Sequence, residues 1–328
     1  MKSVFLSVIP SLLLLLSAAA STHADDGEAI FDPSKTGADY KVQGEYSGTL
    51  TGDGESGKFG LQVIALGDHK FDCVAYNGGL PGDGWKRGDK SYKATGETKA
   101  SGTRLTGEAG YVVISGNEAT VYSPDDKKLG TLKKILRKSK TLGMKPPKGA
   151  MVLFDGKSAE QFSGGKIVLD KLLLADCESK EKLGDHKLHL EFRTPFKPKA
   201  RGQARGNSGV YIQGRYECQV LDSFGLSGEN NECGGIYSIA KPKVNACYPP
   251  LTWQTYDMDF TAAKYDSTGK KVKSARATIR HNGILIHDDI ELPHGTPGKH
   301  PEADGPQSLY LQGHGNPVVY RNIWVVKK

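Results

Sequence analysis

The chain has 328 residues, of which 37% are hydrophobic and 25% charged, with 41 glycines, 3 tryptophans and a formal net charge of +7. That is the composition of a soluble globular protein with room for two domains, and frequent glycine beside short apolar runs points to strands joined by tight turns. The basic excess sits partly in Lys127, Lys128, Lys133, Lys134, Arg137, Lys138 and Lys140; with no aromatic residue interleaved, the run reads as a solvated strand and linker and argues against a nucleic-acid partner.

In chain order, Lys2 precedes an apolar run from Val4 through Leu16 and a small-residue stretch from Ser17 to Ser21. This predicts a secretory signal peptide over residues 1–24, cleaved after Ala20 or Ala24, and hence a periplasmic or extracellular protein with no membrane span once the leader is removed. Residues 25–39 read as loose. Short β runs follow at 40–50, 58–65, 70–76, 103–108, 111–115 and 119–122, separated by turns such as Thr51-Gly52-Asp53-Gly54 and Pro81-Gly82-Asp83-Gly84. They predict a small β domain over 40–140 that carries no legible chemistry. Pro146 and Pro147 mark an extended linker over 141–150, since neither can join a ladder or a helix interior. A second β domain is predicted over 151–328, with strands near 188–193, 209–213, 216–221, 254–261, 276–280, 284–288, 309–312 and 321–326. The Asn282-Gly283 pair inside it is a hairpin signal, because a type I′ turn needs positive φ at both central residues. The fold class is therefore all-β: a C-terminal antiparallel sandwich or jelly roll behind a smaller N-terminal β domain.

Five cysteines in an exported chain suggest disulfides with one thiol left over, and their spacings match no zinc pattern. His287, Asp288, Asp289, Glu291 and His294 carry metal-ligand chemistry, but their polar hairpin exit reads first as a solvated loop. No cofactor is required by anything in the sequence, and a structural Ca²⁺ is left open.

Chemistry concentrates in the alternating run from Gly206 to Asp222, answered by Tyr310-Leu311-Gln312-Gly313-His314-Gly315. On a strand Glu217 and Gln219 share one face, and Tyr, Gln, Glu and Asp on a sheet face are the groups that stack on sugar rings and bond their hydroxyls. An ordered set of motifs surrounds them: Leu153-Phe154-Asp155-Gly156-Lys157, Leu190-Glu191-Phe192-Arg193, Asn207-Ser208-Gly209-Val210-Tyr211, Tyr216-Glu217-Cys218-Gln219-Val220-Leu221-Asp222, Trp253-Gln254-Thr255-Tyr256 and Leu311 through Ile323. In this set the region from about Val152 to Lys328 resembles the 3-keto-disaccharide hydrolase family. Gln254 stands where that family often has Asn, and Gln213 where it often has Arg.

The resemblance implies a concanavalin-like jelly roll whose concave sheet binds carbohydrate, and cleavage of glycosides already oxidised to a ketone at C3. The ketone acidifies the C2 proton, so the site needs a base, an acid for the departing oxygen and a group that stabilises the enolate. Glu217 is the first candidate for the base, its competitor role being an ion pair with Arg193 or Arg215. His314, between two glycines after a strand, is the second catalytic candidate. Asp222 either tunes Glu217 by like-charge repulsion or caps the following turn. Arg193 and Arg321 offer fixed forks of donors to a hydroxyl or an enolate, and Tyr211, Gln213, Gln219 and Gln312 are read as substrate contacts. Asn207 is read as structural, tolerating a left-handed backbone or satisfying backbone donors. Two other readings compete: a non-catalytic, lectin-like glycan-binding module using Trp253, Tyr211 and Tyr216 as platforms, and an ordinary glycosidase, which needs paired carboxylates.

Overall fold

The computed structural model describes residues 27–52 and 54–328; the expected signal peptide lies outside them. From residue 27 the segment read as loose is tied down. Ile30 and Phe196 exchange both backbone hydrogen bonds, at 2.9 and 2.7 Å, and Asp32 caps a 3₁₀ turn over Pro33–Lys35. The strand expected from residue 40 begins later, because Ala38–Val42 form a short helix. Its Tyr40 and Val42 pack on the apolar cluster that begins with Tyr46, so these residues close the end of the next element.

That element is a closed, antiparallel barrel of eight strands. In order around the wall they are Gly44–Gly52, Lys128–Ile135, Glu118–Tyr122, Gly110–Ser115, Gly102–Gly107, Ser91–Lys99, Lys70–Asn77 and Glu55–Gly67, the last pairing back with the first. Closure removes the unpaired edges that a small open sheet would expose. Leu61, Val63, Phe71, Cys73, Leu105 and Ile114 fill the interior at one end, where Phe196 and Leu251 of the following domain join the same cluster.

The second domain is a sandwich. Its larger sheet runs Ile167–Val168, Leu172–Leu174, Val319–Lys327, His186–Arg193, Gln254–Thr261, Ala275–His281 and Ile284–Leu292, with Met151–Phe154 also on Val319–Lys327. The smaller sheet runs Phe162–Ser163, Cys177–Leu183, Gln307–Leu311, Ser208–Ile212 and Tyr216–Val220. Alternation decides what lies between them: Leu188, Leu190 and Phe192 of one sheet meet Val210, Ile212, Cys218, Val220, Leu309 and Leu311 of the other in one buried cluster. Each such side chain adds about 1.5–3 kcal/mol on burial. The predicted hairpin is present, with φ of 54° at Asn282 and 79° at Gly283. All five cysteines are buried and free, against the expected disulfides. Cys218, Cys233 and Cys247 serve as small apolar residues of the sandwich core.

Barrel and sandwich are pinned together by guanidinium groups. Arg87 donates from Nη2 to the carbonyls of Gly228 (2.8 Å) and Pro242 (3.0 Å), and Arg205 Nη1 donates to the carbonyl of Ala65 at 3.1 Å. Arg137, within the basic run, pairs with buried Glu45 and lies 4.9 Å over the Tyr248 ring. Among the described residues no helix is long and apolar enough to cross a membrane.

Candidate functional site

The outward face of the smaller sheet carries the polar residues that its inward face excludes. Register places Glu178, Tyr310, Tyr211 and Glu217 in one cross-strand row, as Glu178 opposes Tyr310, Tyr310 opposes Tyr211, and Tyr211 opposes Glu217. One step along the strands, Gln219 opposes Gly209, and the Gln312 amide N–H donates to the Gly209 carbonyl at 2.9 Å. Asn207, Gly209 and Tyr211 share this face by the two-residue period. Gly209 is thus a floor ringed by Asn207, Tyr211, Glu217, Gln219 and Gln312.

The Glu217 side chain folds over that floor. A Cβ on Gly209 would lie 2.5 Å from Glu217 Oε1 and 2.7 Å from Tyr211 Cε2, so the carboxyl occupies the space that the missing side chain leaves. Burial pushes its pKa from the ordinary carboxylate value up to about 7. The Tyr211 hydroxyl donates to the Pro297 carbonyl at 3.0 Å and accepts from Gln312 Nε2 at 3.0 Å; burial first, then Glu217, raises its phenol well above the usual range. Asn207 Nδ2 (3.0 Å) and Gln219 Nε2 (3.3 Å) both donate to Gln203 Oε1. Asn207 Oδ1 and Gln312 Oε1 are buried acceptors without a partner. A buried acceptor without a partner has the chemistry to take a hydroxyl donor.

At the other end of the row Glu178 has the opposite environment. Burial alone would raise it, but hydrogen bonds from His300, Ser308 and Lys299 hold its carboxyl down at about 2. Three strand spacings of about 4.8 Å separate the two carboxylates' backbones, ~14 Å in all.

Several predicted residues stand elsewhere. Arg193 and Arg321 project from the outer face of the larger sheet, with the whole core between them and Glu217. They lie 5.0 and 3.9 Å over the Trp253 ring and line a cleft of about 920 Å³, with Arg321 Nε donating to Glu191 Oε2 at 2.7 Å. Neither the substrate role beside Glu217 nor the Glu217–Arg193 ion pair has geometric support. Gln213 sits in the two-residue turn Gln213-Gly214, with φ of 55° and 60°. Buried, it donates from Nε2 to the Leu183 carbonyl at 2.7 Å, so it braces the hairpin instead of facing a ligand.

Asp222 is held by Arg205, Nε to Oδ2 at 2.6 Å, with side-chain exposures of 0% and 6%. It also accepts from the Phe224 amide at 3.4 Å, and it is not among the causes of the Glu217 shift. Its part is to staple the strand end to the barrel contact of Arg205. Asp222→Ala is expected to cost about 3–5 kcal/mol in urea unfolding, because it leaves a buried guanidinium uncompensated. His314 is exposed on the loop after Gln307–Leu311, and its ring makes no hydrogen bond among the described residues. The same loop packs Gly313 against Asp176 and accepts at Asn316 Oδ1 from the Gly206 amide at 3.2 Å. The left-handed position is Gly206, at φ 68°, and not Asn207, which frees Asn207 to face the site.

Of the aromatic platforms of the lectin-like reading, Tyr211 and Tyr216 are buried, and Trp253, half-buried, lines the cleft on the opposite face of the sandwich. Tyr216 points into the core and donates to Glu302 Oε1 at 2.5 Å, and Trp253 lies under Arg321. The proposed metal ligands have other partners, His287 with the Gly234 carbonyl (2.7 Å), Asp288 with Lys243 (3.4 Å) and Asp289 with Arg276 (2.8 Å). Among the described residues no three His, Cys, Asp or Glu side chains form a metal cluster. Glu178, Gln203 and Tyr310 are the site-face residues that sequence reasoning missed.

The sandwich is concanavalin-like, and the polar cluster around Glu217 on the outward face of its smaller sheet is buried beneath the segment of Thr296 and Pro297. The chain belongs to the family described as 3-keto-alpha-glucoside-1,2-lyase-like, which matches residues 149–326. Among solved structures it is similar to a candidate glycosyl hydrolase from Parabacteroides distasonis ATCC 8503, at 28% identity and a TM-score of 0.52, covering 56% of this chain and 85% of that one. A second protein of the same description and organism aligns at 14% identity and a TM-score of 0.41, over 55% of this chain and 94% of that one. No curated protein matches the chain.

Proposed function

We propose that the protein cleaves glycosides that carry a ketone at C3, with Glu217 as the base. The observation that carries this reading is the Glu217 carboxyl lying over Gly209, with its pKa pushed up by burial to about 7. A base whose pKa lies near the working pH combines a useful ionised fraction with real proton affinity. Ionised Glu217 takes the C2 proton, and the C2–H electron pair becomes the enolate of the C3 ketone. As the ketone re-forms, a C1–C2 double bond develops and the C1–O bond breaks toward the leaving group. The first product is a 2-hydroxy-3-keto-glycal; water added across the new double bond gives the free 3-keto sugar. Asn207 Oδ1 and Gln312 Oε1 supply acceptors for ring hydroxyls. His314, on the loop leading from Gln312, is proposed as the donor to the departing oxygen. Export through the signal peptide would put the enzyme outside the cytoplasm.

The carboxylate row favours this over ordinary hydrolysis. Retaining and inverting glycosidases hold two carboxyl groups about 5–10 Å apart, whereas Glu178 and Glu217 stand on strands three spacings apart and Glu178 is already engaged by Lys299 and His300. The test is turnover of a 3-keto-disaccharide beside its unoxidised parent. Release of the glycal or free keto sugar from the first alone, with a primary isotope effect from deuterium at C2, is the expected result. Cleavage of the unoxidised parent without such an effect would sink the proposal. His314→Ala is expected to slow substrates with alkyl leaving groups and to spare an activated aryl leaving group, which needs no proton; equal loss on both would remove His314 from that role.

A further inference from the structure

The outer face of the larger sheet holds a charge that the protein does not compensate. Arg193 is only 8% exposed. Guanidinium groups sunk elsewhere in the chain are answered: Arg205 pairs with Asp222 at 2.6 Å, Arg137 pairs with Glu45, and Arg215 donates to three oxygens, those of Pro301 (3.0 Å), Gln213 (3.3 Å) and Gly305 (3.1 Å). Arg193 makes one hydrogen bond, from Nη2 to the Phe31 carbonyl at 2.9 Å, and its Nε is buried without an acceptor. Among the described residues no carboxylate pairs with it. Asp32 acts on it only at longer range, more weakly than the repulsion from Arg321, and spends its own carboxylate on the amide (3.0 Å) and hydroxyl (2.8 Å) of Ser34. A buried charge without a partner is costly, so a counter-charge belongs where this group meets open space.

Arg193 meets it in the cleft of about 920 Å³. Besides Asp32, two carboxylates line that cleft and both are spoken for. Glu191 accepts from Arg321 Nε, Asn322 Nδ2 and the Gly143 amide, and Asp155 pairs with Lys157 at 3.1 Å. Against them stand Arg193, Arg321, Lys145 and Lys171, of which Arg321 alone has a carboxylate partner among the described residues. The guanidinium groups of Arg193 and Arg321 lie 5.0 and 3.9 Å from the centre of the same Trp253 ring, close enough for one oxyanion to take donors from both. Beside them the wall is apolar: Val152 and Leu169, each 42% exposed, line the cleft with Met144 and Trp253. The geometry points to a binding site here for a small monocarboxylate with an apolar or aromatic body, the carboxylate on Arg193 and Arg321 and the body against Val152, Leu169 and Trp253. One uncompensated guanidinium balances one negative charge, which favours a carboxylate over a phosphate dianion. The site lies across the core from Glu217 and rests on nothing proposed there.

The test is calorimetry on the full chain with 4-phenylbutyrate, 4-phenylbutylamine, acetate and inorganic phosphate as probes. One saturable site for 4-phenylbutyrate is expected, with the other three each weaker by at least about tenfold, ~1.4 kcal/mol. Arg193→Met removes the guanidinium and keeps most of the bulk. It is expected to weaken 4-phenylbutyrate by at least about tenfold while leaving turnover of a 3-keto-disaccharide unchanged. Val152→Glu, on an exposed wall residue that tolerates exchange, carries the test should the first variant fail to fold: it is expected to weaken the carboxylate by about tenfold and to strengthen the amine. Absence of binding to the wild-type chain, or unchanged binding in a folded Arg193→Met or Val152→Glu variant, overturns the site. Equal affinity for the amine or for phosphate overturns the monocarboxylate, equal affinity for acetate overturns the apolar body, and loss of turnover in folded Arg193→Met overturns the separation from Glu217.

Discussion

Glu217→Gln is expected to lower kcat by about 10²–10⁴, the usual contribution of a positioned general base, while making the protein more stable at alkaline pH. The second half follows from linkage. The folded-state pKa of Glu217, about 7, lies above the ordinary value of 4.5. Below pH 4.5 the carboxyl is protonated in both states and the fold loses nothing. Between 4.5 and 7 the unfolded chain releases the proton and the folded chain keeps it, so stability falls as pH rises; above 7 the full cost remains. Two and a half units at ~1.4 kcal/mol each put that cost on the order of 3 kcal/mol. The amide has nearly the same shape and no charge to desolvate, so the variant should unfold like wild type at pH 4 and later than wild type at pH 8. Urea titrations at the two pH values, run beside turnover, separate the outcomes. Loss of activity with unchanged stability at both pH values would mean that the carboxyl is solvated, and the argument from burial would fail. Full retention of activity would strike Glu217 from the chemistry. In the wild type, kcat should rise through pH 7 as the base ionises.

Glu217 was legible because its strand alternates strictly: Tyr216, Cys218 and Val220 are apolar, so Glu217 and Gln219 must turn the other way. The same rule hid Glu178. Cys177–Leu183 reads Cys-Glu-Ser-Lys-Glu-Lys-Leu, and with only Cys177 and Leu183 clearly apolar it looks like a solvated run rather than a strand flanked by partners. Ser91–Lys99 escaped for a related reason: its inward residues include Ala94 and Gly96, too small to register as an apolar face, although pairing on both sides makes it part of the closed barrel. Barrel closure itself depends on the pairing of Gly44–Gly52 with both Lys128–Ile135 and Glu55–Gly67, a long-range fact with no local signature. Arg193 and Arg321 were misplaced for a simpler reason. Sequence alternation says that a side chain leaves the core, but in a sandwich there are two outsides, and only the strand order says which. Arg193 lies on a strand of the larger sheet and Glu217 on one of the smaller.

Gly209→Ala is expected to cut kcat/KM by at least about a hundredfold, because displacement of a reacting group by about 1 Å already costs that much. At most strand positions this exchange is harmless, since replacing glycine by alanine gains roughly 0.5–1 kcal/mol, and Gly209 is not among the positive-φ residues that would resist a side chain. The difficulty is contact alone: the new methyl would stand 2.5 Å from Glu217 Oε1, 3.1 Å from Glu217 Cδ and 2.7 Å from Tyr211 Cε2. Tyr211 is fixed by Pro297 and Gln312, so the carboxyl is the group that must give way, and it can only swing off the floor toward water. Two readouts should then move together. Activity falls, and the alkaline loss of stability shrinks because the carboxyl now ionises nearer its ordinary value. A double-mutant cycle isolates the cause: in a Glu217→Ala background most of the steric cost of Gly209→Ala should vanish, leaving the Tyr211 contact, so the two substitutions should be strongly non-additive in urea unfolding. Additive costs would place the Glu217 carboxyl away from Gly209, and with it would go the burial that makes this residue a base.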